Sequence, residues 1–249
     1  MNRIRLMNIE IDNVTIKEAI EATEILINKG ENSFIVTPNV DHIVKVQEDI
    51  EFKEIYDKAD LVLADGMPLI WVSKLLRKSL KEKVSGSDLF PLLCKMCEGK
   101  GYSVFLLGSA SQEIIETTAQ NLNNLFPKLK IVGKLSPSFG FEKKENETKD
   151  IIEKIKSVKP DILFVGVGAP KQEKWIYKYK NDYMVPVSIG IGASFDFIAG
   201  TVKRAPKWMQ NLGLEWFYRF LQEPKRMFRR YFIDDSKFFK LILKEVLNK

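Results

Sequence analysis

In the segment ADLVLADGMPL, residues 59 to 69, four apolar residues, Leu61 to Ala64, run directly into Asp65. Such a run becomes a strand buried on both faces, and Gly66 and Pro68 then break the pattern before Leu69, Ile70 and Trp71 open a helix. Two later apolar runs end in glycine pairs, GVGAPK at 166–171 and GIGASF at 190–195. Glycines let a backbone approach a phosphate, and N–H groups at a helix start can receive it. A carboxylate is costly to desolvate. Asp65 at the mouth of a core strand is therefore either at a ligand site or a cap for the helix that follows.

Several chemistries fail on spacing. Each G-x-G lacks the third glycine of a dinucleotide fingerprint, and neither lies in the N-terminal βαβ unit. There is no G-x-x-x-x-G-K-[ST] loop and no G-x-S-x-G elbow, and one histidine leaves no Ser/His/Asp set. Cys94 and Cys97 form a C-x-x-C in LFPLLCKMCEGKG with no second pair to complete a zinc site, so they read as small residues on a core helix. His42, in TPNVDHIV, reads as a core residue, with ligand contact as the alternative. Neither a metal nor a cofactor is expected. The acids in IDDSK, 233–237, read as solvated or paired in a basic setting.

The elements that must hold these residues alternate. RIRLMNIEID suggests a strand or hairpin, and TIKEAIEATEILINKG is a helix with a Thr15-x-x-Glu18 capping box and a terminal Gly30. SFIVT is a strand ending at Thr37, followed by PNVDHIVKVQ; LVLA ends at Asp65; YSVFLLG ends at Gly108 before a capped helix, SASQEIIETTAQNLNNLF. KIVGKL leads to SPSFGF, DILFVGVG to APKQEKWIYKY, and VPVSIGIGASFDF closes the series. This order predicts an α/β, Rossmann-like fold: a mainly parallel sheet with helices on both faces. Such sheets bind ligands at the carboxyl edge of the strands. That edge collects Thr37, Asn39, Asp65, Gly108, Gly166, Gly168 and Gly192.

The chain of 249 residues, 45% hydrophobic and 29% charged, can bury one substantial core. No run reaches the roughly 18 to 20 apolar residues of a spanning helix, and MNRIRLMNIEIDN lacks a signal-peptide core, so a cytoplasmic protein is expected. The net charge of +6 is unevenly placed. From Lys203 onward there are twelve basic and five acidic side chains, and the preceding residues carry a balance of −1. Ten of the 27 aromatic residues share that tail. Trp208, Leu212, Trp216 and Phe220 recur at helical spacing with Lys207, Arg219, Arg226, Arg229 and Arg230 nearby. This pattern suits an anionic membrane surface. Docking of the aromatics on the body is the other reading, and no nucleic-acid module is present.

The motifs TPN (37–39), ADG (64–66), VSGSDL (84–89), GAPKQEKW (168–175), GASFDFIAG (192–200), RAPKW and GLEWFYRFLQEPKRMFRRY fall in one order across nearly the whole chain. Together they resemble the WecG/TagA/CpsF family of bacterial glycosyltransferases. The resemblance implies a catalytic domain over residues 1–200 and a basic, aromatic helical appendage over 201–249 that completes the site at the inner face of the cell membrane. It implies an inverting, metal-independent transfer of N-acetylmannosamine from UDP-N-acetylmannosamine to the 4-hydroxyl of undecaprenyl-diphosphate-linked N-acetylglucosamine, a step of wall teichoic acid synthesis. Relatives with other UDP-sugar donors belong to the same family.

Carried residue by residue, Asp65 matches the family's proposed base, which would take the proton of the attacking hydroxyl. Thr37, Asn39 and Gln172 match site-lining positions, and Arg219, Arg226 and Arg229 match appendage arginines that reach phosphates or, alternatively, lipid headgroups. Lys83 departs from the arginine common before VSG; it keeps the charge and loses the bidentate fork. Phe139 in SPSFGF either stacks on uracil or packs its loop, and Gly108, Gly168 and Gly192 are nucleotide-side candidates. Homo-oligomers off the membrane are open. The rival classes are a dinucleotide-dependent oxidoreductase and a non-catalytic nucleotide- or lipid-binding module.

Overall fold

Arg3–Leu6 (β1) and Ile9–Asp12 (β2) pair as an antiparallel hairpin, with Arg3 opposite Asp12. The chain then alternates: helix α1 (Ile16–Lys29), strand β3 (Ser33–Val36), helices α2 (Val40–Val46) and α3 (Ile50–Lys58), strand β4 (Leu61–Val62), helices α4 (Met67–Leu75) and α5 (Gly86–Lys100). It continues through β5 (Ser103–Gly108), α6 (Gln112–Leu125), β6 (Lys130–Leu135), α7 (Glu145–Val158), β7 (Ile162–Gly166), α8 (Lys171–Tyr183), β8 (Val187–Gly190) and α9 (Ser194–Ala199). The computed structural model describes residues 2–247, apart from the side chains of Asn211, Arg226, Arg230 and Phe232.

Six strands form one parallel sheet in the order β4-β3-β8-β7-β5-β6. Alternate side chains along a strand point to opposite faces, and the buried residues divide accordingly. Phe34, Val36, Phe105, Leu107, Leu163 and Val165 join the core with α2, α3, α7 and α8. Ile35, Val104, Leu106, Phe164 and Ile189 join the core with α1, α5, α6 and α9. The continuous apolar runs of the sequence are thus the signature of strands covered on both sides. Cys94 and Cys97 are buried free thiols in the second core, as their helical setting predicts.

Local signals explain the element ends. Thr15 and Glu18 form the reciprocal capping box of α1, and Gly30 closes it with φ +69°. Gly66 adopts φ +115° at the turn from β4 into α4. Gly108, with φ +135°, lies so close to Gly166 that an added Cβ would fall 2.5 Å from the Gly166 carbonyl oxygen.

The tail departs from the sequence expectation in one respect. The spacing of Trp208, Leu212, Trp216 and Phe220 predicts one helical face, but α10 (Lys207–Asn211) ends before Gly213, whose φ is +71°, and α11 (Glu215–Gln222) starts a new helix. Gly213 is wedged against Trp71 and Met67 of α4, which leaves no room for a side chain and turns the chain there. α12 (Pro224–Phe228), a π-helical turn (Arg229–Asp234) and α13 (Lys237–Leu247) follow. The tail's apolar residues divide between two fates: Met227 and Phe238 are buried, and Phe238 joins the first core, whereas Trp208 and Leu212 are 60% and 61% exposed. Among the described residues no helix is long and apolar enough to cross a membrane.

Candidate active site

Asp65 stands at the carboxyl end of the β4 segment. Its N–H donates to the Pro38 carbonyl at 2.8 Å, which ties it to the loop after β3. The side chain keeps a partial opening to solvent while protein surrounds it. Desolvation raises its pKa from 3.8 to about 7, helped by the charges of Glu215 and Asp88 and opposed by those of Lys83 and Arg219. A carboxyl poised there can take a proton at neutral pH.

Beside it sit four charges from three parts of the chain. Lys83 Nζ lies 3.0 Å from Asp88 Oδ2 and 3.2 Å from Glu215 Oε2. Arg204 pairs with the same two acids, at 2.7 Å to Asp88 Oδ1 and 3.2 Å to Glu215 Oε1. Burial works against the charge of Lys83, yet the two acids raise its pKa above the ordinary value. Burial likewise opposes the Asp88 charge, but the Ser85 hydroxyl, Lys83 and Arg204 bring its pKa down to about 2. The guanidinium carbons of Arg204 and Arg219 lie 6.0 and 5.4 Å from the Phe197 ring centroid. Arg219 Nε is buried without a hydrogen-bond partner. A cavity of about 710 Å³ opens between α4, α5 and α10, with Lys83, Asp88 and Arg204 in its wall.

The second group of residues lies at the ends of β3, β7 and β8. Thr37 is buried and donates from Oγ1 to the Gly190 carbonyl at 3.3 Å. Asn39 caps α2 by accepting from the His42 N–H. Gln172 is 2% exposed, and its Oε1 accepts the N–H groups of Gly168 and Gly192 at 3.2 and 3.1 Å. Gly168 and Gly192 have positive φ and open space where a Cβ would project. Backbone there is free to approach a ligand, whereas Gly108 serves strand packing.

The structure therefore brings Asp65, Lys83 and Arg219 into one electrostatic group, and Thr37, Asn39, Gln172, Gly168 and Gly192 into one loop cluster. Phe139 stands apart on the loop after β6, 94% exposed, with Lys171 Nζ 4.5 Å above its ring. Arg229 is exposed on the turn after α12. The side chain of Arg226 lies outside the described residues. Asp88, Arg204, Glu215 and Phe197 were missed by the sequence reading. Asp88 looks like an ordinary first-turn acid three residues after the Ser85 cap, and the other three sit inside quoted motifs with nothing in their spacing to single them out.

A carboxyl and converging cations at the carboxyl edge of a parallel α/β sheet stand where such folds bind their ligands. The sequence signature of the Glycosyl transferase WecG/TagA/CpsF family matches residues 4–249, and the chain belongs to that family. It is a glycosyltransferase. Three relatives carry the name N-acetylglucosaminyldiphosphoundecaprenol N-acetyl-beta-D-mannosaminyltransferase. The protein of Bacillus spizizenii is 37% identical over 207 residues, covering 83% of this chain and 77% of its own. That of Bacillus subtilis is 33% identical over 215 residues, 86% and 80% of the two chains. That of Staphylococcus aureus is 31% identical over 229 residues, 91% and 87%.

Proposed function

We propose that this glycosyltransferase moves N-acetylmannosamine from UDP-N-acetylmannosamine to the 4-hydroxyl of N-acetylglucosamine carried on undecaprenyl diphosphate, in the synthesis of the wall teichoic acid linkage unit. The observation that carries the reading is Asp65, a carboxyl with its pKa near 7 at the end of β4, set among Lys83, Arg204 and Arg219. The acceptor hydroxyl attacks the anomeric carbon as Asp65 takes its proton; the new C–O bond forms, the bond to the diphosphate breaks, and UDP leaves with inversion. Lys83, Arg204 and Arg219 offset the charge that develops on the diphosphate.

In this reading residues 1–200 are the catalytic domain and 201–249 the appendage that supplies Arg219, Arg226 and Arg229 and rests on the anionic inner face of the cell membrane. Thr37, Asn39 and the loops of Gly168 and Gly192 face the donor, and Phe139, from the loop after β6, stacks on its uracil. The exposed Trp208 and Leu212 beside basic residues support the membrane contact. The test is UDP release on incubation with UDP-N-acetylmannosamine and a lipid-linked N-acetylglucosamine analogue. Release only with a different UDP-sugar would move the donor assignment, and none with any UDP-sugar would overturn the reading.

A further inference from the structure

Glu173 is the least exposed acid among the described residues, at 1%, and no step above uses it. It lies in the first turn of α8. Its Oε1 accepts a hydrogen bond from Gln172 Nε2 at 2.7 Å, and its Oε2 is buried without a hydrogen-bond partner. Gln172 in turn holds the N–H groups of Gly168 and Gly192, the residues after β7 and β8. The site is built for that amide: a Cβ on Gly190 would come within 2.7 Å of Gln172 Nε2.

On its other side Glu173 faces α2. His42 Nε2 lies 3.9 Å from Glu173 Oε1, and the ring is buried. The Asn39 N–H donates to His42 Nδ1 at 2.9 Å, so Nδ1 is the acceptor nitrogen and the ring proton sits on Nε2, toward the acid. The His42 ring thus packs between Glu173 and the loop after β3, which also carries Thr37 and contacts Asp65 through the Pro38 carbonyl. Burial raises the Glu173 pKa to about 7, against the Gln172 amide and Lys45, with Asp41 adding to the rise. The buried Tyr56 hydroxyl, without a hydrogen-bond partner, feels the charges of Glu173, Asp41 and Asp65.

A buried acid with one unsatisfied oxygen is a poor choice for stability alone, since an apolar side chain of similar volume would fill the space at lower desolvation cost. We propose that Glu173 is a positioning residue: through Gln172 and His42 it fixes the relative placement of the three loops, after β3, β7 and β8, that face the substrates. The acid does not touch substrate. The Gln172 amide donates to its Oε1 and the His42 ring packs 3.9 Å from the same oxygen, and rigid loops keep the Gly168 and Gly192 backbone in one arrangement. That these loops meet a uridine diphosphate rests on the function proposed above; that Glu173 holds them does not.

The test compares Glu173→Met, which keeps the volume and removes the acceptor, with Glu173→Gln, which retains an acceptor oxygen. Amide hydrogen exchange at Gly168 and Gly192 is read together with UDP affinity and thermal unfolding. We expect E173M to exchange about tenfold faster at both amides and to bind UDP about tenfold more weakly. E173Q should stay within about threefold of the parent in both. Parent-like exchange and affinity in E173M, or an equal loss in E173Q, overturns the proposal. Should E173M not fold, Glu173→Leu, which also lacks an acceptor, is read at the same amides: faster exchange at Gly168 and Gly192 supports the proposal, and parent-like exchange overturns it. A parent protein that binds no UDP would count against the donor assignment, while the exchange rates still judge the role of Glu173.

Discussion

Lys83 and Glu215 lie 132 residues apart in the chain and meet at 3.2 Å. One belongs to the segment before α5, the other opens α11 in the tail, and Arg204 and Asp88 complete the cluster from both sides. The tail is held at the carboxyl edge of the sheet by charge pairs that border Asp65, so the position of Arg219 depends on the same contacts.

Removing the body's cation from that cluster leaves Asp88 and Glu215 without one partner and takes a positive charge from the diphosphate side. Lys83→Ala should lower kcat/KM by about 10- to 100-fold. Lys83→Arg keeps the charge and adds a planar fork, so activity should be retained or raised. Steady-state UDP release separates the two outcomes.

Asp65→Asn keeps the shape and removes the base. Turnover should fall by about 10²- to 10⁴-fold with UDP affinity unchanged. In the parent enzyme the rate should climb as pH rises through about 7, where the carboxyl ionises. A pH–rate profile without that limb, or an Asn variant with normal turnover, argues against Asp65 as the base.

The same group sets a pH dependence of stability. Its folded-state pKa, about 7, lies above the 3.8 of the unfolded chain. The contribution of the protonated acid is fully present below about pH 4 and is lost as pH rises through about 7. Asp65→Asn cannot ionise, and it should unfold a few degrees above the parent at pH 8, a gain of about 1–2 kcal/mol, with a smaller gap at pH 5. Calorimetry at the two pH values reads the difference.

Gly108 tests the packing of the sheet edge. A Cβ there meets Gly166 backbone at 2.5 Å, and φ is +135°. Gly108→Ala should cost about 2–4 kcal/mol in chemical denaturation. A loss under about 0.5 kcal/mol would mean that β5 and β7 separate easily at their ends.

For the tail, a chain ending at Gly200 should lose most turnover on a lipid-linked acceptor, and Trp208→Ala should weaken sedimentation with anionic vesicles. Binding by the parent should decline as salt rises, because exposed charges are screened. A folded, truncated protein with full turnover would remove the appendage from the reaction.

Periodicity made the layered α/β fold legible, because strands covered on both faces must be continuously apolar and the helices between them must carry one apolar stripe. The position of Asp65 at a strand end was legible for the same reason. Less accessible was the tail, where regular spacing from Trp208 to Phe220 conceals the break at Gly213, a break imposed by the close approach of Trp71. The parts played by Asp88, Arg204 and Glu215 were also hidden, since each is an unremarkable charge until the others stand beside it.

The sequence by itself determined the alternation of strands and helices, the capping of α1, and the gathering of Thr37, Asn39, Asp65, Gly168 and Gly192 at one edge; each follows from interactions between neighbours in the chain or from which face of an element must be dry. Only the tertiary structure decided that Lys83 and Arg204 share two acids, that Gln172 turns inward to hold two glycine loops, and that Glu173 and His42 face each other. Each of those relationships is closed by a pair distant in the chain, from Gln172 and Gly192, 20 positions apart, to Lys83 and Glu215, 132 apart, and distance along a chain carries no information about distance in space until the core has packed.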